Sequence, residues 1–150
     1  MLVERLEELV EDFNTPTDPV KLWHFNYGKE YWQNLQDLPN DAEIPFAERN
    51  KYVLLLWQDV DPKFNEFGVV ESNTITGELL LVVRSKISDA DYNFKYQTHI
   101  KNLHAESANM IENFTVCDDW LIKRWKQIEV ENTFDTNLDG LKIQFTLEKS

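Results

Sequence analysis

Three histidines, one cysteine and a set of paired acids are the side chains in this 150-residue chain with the chemistry to act on something. His99 and His104 are five residues apart, which on a helix is a turn of roughly 140° about the axis, so they cannot close on one metal as residues four apart can. His24 stands between Trp23 and Phe25, a setting for packing or hydrogen bonding rather than for a general base. Cys117 is alone, which excludes an intramolecular disulfide and a thiolate metal cluster, and we expect it to behave as a small buried or half-buried apolar residue. Asp59 and Asp61, Asp89 and Asp91, and Asp118 and Asp119 form carboxylate pairs. Among 27 acids such pairs arise from composition alone, and general acid–base work needs a pocket around them.

One segment carries a ligand-binding pattern. Asp135-Thr136-Asn137-Leu138-Asp139-Gly140 matches the opening of a calcium loop, D-x-[DN]-x-[DN]-G. The match stops at Lys142, where an aliphatic belongs, and at Thr146, where a bidentate Glu belongs. We therefore read a hairpin loop with Asx turns and a Gly at positive φ. No H-E-x-x-H, G-x-S-x-G, G-x-x-x-x-G-K or G-x-G-x-x-G occurs, and four scattered Gly cannot build a phosphate cradle. Neither a catalytic centre, nor a cofactor site, nor a metal site is expected.

Charge narrows the partners. The net charge is −12, with 15 acids against 6 bases in residues 1–75 and 12 against 9 in residues 76–150. Such a surface repels phosphates, so nucleic-acid binding is not expected. Lys123-Arg124-Trp125-Lys126 is a small basic patch within it. No apolar stretch approaches a membrane span. The acidic start, Met1 to Glu8, does not resemble the basic head of a signal peptide, so synthesis in the cytosol is expected.

The elements that would position these residues follow from periodicity. Leu2, Leu6, Leu9, Val10 and Phe13 fall at helical spacing, and Pro16 and Pro19 lie beyond them. Val20 to Phe25 reads as a short strand with Asn26-Tyr27-Gly28 turning out of it, followed by an aromatic-rich excursion to about residue 50. Tyr52 to Trp57 is a strand covered on both faces, or on one face plus a partner; Phe67 to Glu71 is a shorter strand; Ser72-Asn73-Thr74 is a turn; and Ile75 to Ile87 is a further strand. The two long apolar runs are expected to be antiparallel neighbours. From Tyr92 to Phe114 the period becomes helical for roughly 22 residues, with Asp89 or Asp91 as N-cap. Two alternating strands close the chain, one through Ile128, Val130 and Asn132, the other through Leu141, Ile143, Phe145 and Leu147. The predicted fold is α+β. A single antiparallel or mixed sheet of about four or five strands is packed by one long helix and a short N-terminal helix, all in one domain over residues 1–150.

This order of elements resembles the tail-terminator and tail-completion proteins of tailed bacteriophages. His24-Phe25-Asn26-Tyr27-Gly28 is similar to a short aromatic-Gly motif before the first strand in some of them. Lys51-Tyr52-Val53-Leu54-Leu55-Leu56 is similar to their first core strand. Glu131-Asn132 followed by Leu138-Asp139-Gly140-Leu141 is similar to their closing hairpin, although Leu141 stands where an aromatic is common and the core strand lacks its usual Pro. The resemblance implies a virion protein, made in the host cytoplasm, that forms a hexameric ring. It caps the tail tube, joins it to the head-side connector or neck, and has no catalytic residues.

A cyclic ring needs two different, complementary surfaces on one chain. The acidic first half and the Lys123-Arg124-Lys126 strand are candidates for them, with Trp23, Phe25, Tyr27, Tyr31 and Trp32 as aromatic anchors. A different class also fits the composition. Small size, acidity and many aromatics suit an inhibitor of a basic site, such as a toxin-immunity protein or a nucleic-acid mimic, which would be a monomer or a dimer.

Overall fold

Leu2, Leu6, Leu9 and Val10 form one stripe of the first helix, α1 (Leu2–Phe13), and all four are buried. The helix ends at Asn14, whose backbone is extended (φ −80°, ψ 128°). The Asn14 side chain then binds the next element: its Oδ1 accepts from the Trp23 N–H at 2.9 Å, and its Nδ2 donates to the Trp23 carbonyl at 3.1 Å. This computed structural model describes residues 1–14, 22–28, 45–84, 92–133 and 138–150.

Five strands form one mixed sheet in the order β1-β2-β3-β5-β4: β1 (Trp23–Tyr27), β2 (Lys51–Phe64), β3 (Val70–Arg84), β4 (Leu121–Thr133) and β5 (Leu138–Lys149). β1 runs parallel to β2, and every other neighbour pair is antiparallel. The long helix α2 follows β3 in four continuous segments, Tyr92–Lys95, Tyr96–Ile100, Lys101–Glu112 and Asn113–Cys117, of which the second and fourth are wider π turns. The architecture is α+β, as the periodicity predicts, with both helices on one face of the sheet.

Alternation along the strands sorts the apolar residues into two cores. Val53, Leu55, Ile75, Leu79, Leu81, Val83, Leu141, Ile143 and Phe145 meet the apolar stripes of α1 and α2, including Leu6, Ile100, Leu103 and Phe114. Tyr52, Leu54, Leu56, Leu80, Val82 and Leu138 form a second, smaller buried cluster on the other face. This explains the unbroken apolar runs: at that end of the sheet both faces of β2 and β3 are covered. A bulge contributes as well. Leu55 pairs with Leu79 and Trp57 with Glu78, so Leu56 is an extra residue, and Leu56 and Trp57 both turn to the second core.

Several boundaries differ from the sequence reading. Phe67 to Glu71 is not a separate strand, and Ser72-Asn73-Thr74 is not a turn but part of β3. The turn lies at Asn65 to Val69, where the Asn65 Oδ1 accepts from the Phe67 and Val69 N–H groups and Gly68 takes a φ of 75°. Leu138, Asp139 and Gly140 belong to β5 rather than to a loop. Gly140 is required by close approach, because a Cβ there would overlap the Leu81 carbonyl oxygen. His24 to Tyr27 does not precede the first strand; with Trp23 it is that strand. β4 begins at Leu121, and a bulge at Lys123 shifts its phase. Trp125 therefore faces the helices, paired with Phe145, and Gln127 lies beside Ile143 on that same face. The helix N-cap, residues 89 and 91, and the excursion from residue 29 to residue 44 lie outside the described residues.

Candidate functional site

The predicted interface residues fall on two opposite margins of the sheet. Trp23, Phe25 and Tyr27 are on β1, and Lys123, Arg124 and Lys126 are on β4. Five strands at about 4.8 Å spacing separate the two groups by roughly 19 Å, so they make two surfaces and not one patch. The proposed aromatic anchors differ in exposure. Trp23 packs its ring 5.0 Å from that of Phe13, and both Trp23 and Phe25 are half-buried against the main core. Only Tyr27 of the three is exposed. Tyr31 and Trp32 lie outside the described residues. Lys123, Arg124 and Lys126 are all exposed, and Arg124 donates to the Gln144 Oε1 at 3.2 Å. Cys117 is corrected: it is exposed at the end of α2.

The histidines stack on a ring or reach polar side chains of the strands. His24 stacks on Tyr52 with ring centroids 5.5 Å apart, and its Nε2 lies 2.8 Å from the Asn50 Oδ1. His99 and His104 each reach a different strand. His104 meets Glu129 on β4 at 2.9 Å, and His99 meets the buried Asp139 on β5 at 3.3 Å. Lys95, wholly buried, lies 3.3 Å from the same Asp139 oxygen and 3.2 Å from Glu131. Along the flank of α2 these contacts continue with Ser107, which accepts from the Trp125 indole N–H at 3.0 Å and donates to Gln127. The helix is thus bound to the β4–β5 hairpin through a line of polar contacts. Asp139 and Lys95 are buried and mutually paired, and neither meets a nucleophile in these contacts. Burial of such a pair is tolerated because each charge has its partner.

A cleft of about 370 Å³ opens between the start of α1 and the ends of β3 and β5. Its Met1 ammonium pairs with Glu4, and Arg5 pairs with Glu8 and Asp118. The Arg5 guanidinium, hydrogen-bonded to Asp118, is held above its ordinary value by that bond, against a smaller opposing effect of burial. Lys149 sits 5.1 Å over the Trp120 ring. Among the described residues, no group of three or more His, Cys, Asp or Glu is placed to hold a metal. No helix among them is long and apolar enough to cross a membrane.

The sequence reading missed the tip of the β2–β3 hairpin. Phe67 is 80% exposed, and Phe64, Val69 and Val70 are between 46% and 59% exposed, clustered around one turn. Asp59, Asp61, Glu66 and Glu71 flank them and are exposed too. The available signal was Phe64-Asn65-Glu66-Phe67-Gly68, two Phe around turn-forming Asn and Gly with no alternating partner to bury them.

Compared with protein-family models, the chain gives no match, and compared with curated proteins it gives none either.

Proposed function

We propose that this chain is a non-enzymatic structural protein that works by assembly, as a ring-forming tail terminator or head–tail joining component of a tailed-phage virion. The observation that carries the reading is the apolar hairpin tip. Phe64, Phe67, Val69 and Val70 stand in water beyond the main core. A two-stranded hairpin is marginally stable alone, so an apolar tip is better explained by a surface that it meets. Burial of each Phe against a partner stabilises a complex by about 1.5–3 kcal/mol before the costs of association. The polar attachment of α2 and the Arg5–Asp118 pair of the cleft support the same reading, since each has a structural use. The tail tube and the connector are the partners that this reading implies.

An acidic inhibitor, such as an immunity protein or a nucleic-acid mimic, would instead be a monomer or a dimer. Native mass spectrometry and light scattering of the purified chain test the proposal. A closed oligomer is expected, and a strict monomer at high concentration overturns it.

A further inference from the structure

Resting on the assembly reading, we infer that neighbouring copies join edge to edge, the free margin of β2 pairing antiparallel with β4 of the next copy so that one sheet runs through the assembly. Among the described residues, two long margins of the sheet have no partner strand. β1 covers β2 only from Lys51 to Leu55, and among the described residues no strand pairs with the outer side of β2 from Trp57 to Phe64. β4 is the opposite margin, and its Leu121 to Lys126 lie in the rows of Asp61 to Trp57, within the stretch of β2 that β1 leaves uncovered. Among the described residues no strand takes up the backbone groups on these outer sides, where Pro62 alone offers no N–H, so each margin is a template for another strand.

Charge selects which margins meet. Asp59 and Asp61 oppose pairing of β2 with a second β2, while Lys123, Arg124 and Lys126 stand on β4. The same charges favour β2 against β4. Geometry agrees in three ways. The strands β2, β3, β5 and β4 alternate in direction, so copies repeated side by side in one orientation set β4 against an oppositely running β2. Asp59 pairs with Thr76, Thr76 with Thr146, and Thr146 with Arg124, so Asp59 and Arg124 share one row and one face of the sheet. Leu121 lies in the row of Asp61 by the same path, through Glu148 and Thr74. The hairpin therefore projects from the end where β4 begins, and there Val116 and Leu121 are exposed apolar residues able to receive its tip. The contact is heterologous, as a ring or a filament requires.

Two charge-reversed variants test this: Asp59→Lys with Asp61→Lys, and Arg124→Glu with Lys126→Glu. All four side chains are exposed, and circular dichroism melts matching the wild type establish that both variants fold. Each variant alone is expected to associate at least about tenfold more weakly than wild type. An equimolar mixture is expected to recover the wild-type oligomer with alternating composition, because each variant then meets its opposite charge. In a mixture of ¹⁴N- and ¹⁵N-labelled wild type, a zero-length carbodiimide is expected to couple Asp59 or Asp61 of one copy to Lys123 or Lys126 of another. A wild-type oligomer that both variants retain, or that yields no such crosslink, overturns the edge pairing and leaves assembly standing. Loss in each variant without recovery in the mixture also overturns it. A monomeric wild type overturns both readings.

Discussion

Lys95, His99 and Asp139 meet in the interior, and for charged groups that is a costly place unless each has a partner. Lys95→Met removes the ammonium 3.3 Å from the Asp139 carboxylate and leaves that carboxylate buried without it. The expected loss is about 3–5 kcal/mol, typical of a broken buried pair. It should appear as a drop in Tm on the order of 10 °C in a calorimetric scan; an unchanged Tm would show that the cluster is not holding α2 to the hairpin. Cys117 gives a second check at this scale. As an exposed thiol it should react fully with an aromatic disulfide reagent in the folded protein, without denaturant. Protection until unfolding would place it in the interior instead.

At the scale of elements, two glycines separate steric from conformational demands. Gly140 lies in β5 against β3, and an added methyl there meets the Leu81 carbonyl oxygen and the Leu103 side chain, backbone and core alike. Gly68 is at the hairpin turn with φ 75° and open space around its Cβ position. Gly140→Ala should therefore cost about 1–3 kcal/mol or more, whereas Gly68→Ala should cost about 1–2 kcal/mol, from the left-handed backbone alone. Urea unfolding of the two variants measures the order, and a larger loss at Gly68 would contradict the packing described for β5. The elements themselves were legible in the residues where one period ran uninterrupted: α1, α2, and the alternation of β5 from Leu141 to Leu147. Bulges were not legible. Leu56 and Lys123 each add one residue to a strand and reverse its phase, and no local pattern marks where a partner strand fails to match.

For the whole molecule, association should depend on the hairpin tip and on ionic strength. Phe64→Ser combined with Phe67→Ser removes apolar surface that the isolated chain leaves in water. Tm should stay within a few degrees of wild type while the oligomer dissociates in light scattering. Equal loss of Tm and assembly would mean that the tip is part of the core. If opposite charges on the two margins guide association, raising salt beyond the ~10 Å screening length at 0.1 M should slow it. A rate independent of salt, followed by stopped-flow scattering, would remove charge from the account.

The amino-acid sequence by itself determined the class of the fold and the apolar faces, because period 3.6 and period 2 are local properties of the chain. It also determined the strong net negative charge and the broken calcium pattern, which depend only on residue identity. The tertiary structure alone decided which surfaces remain open. Trp23 and Phe25 resemble Phe64 and Phe67 as sequence, two aromatics near turn residues. The first pair is drawn against the core by Asn14 and Phe13, while the second is carried past the end of β5 on a hairpin longer than its neighbours. Exposure follows from what lies across space, and so Lys123, Arg124 and Lys126 kept their place on the surface while most of the aromatics beside His24 lost theirs.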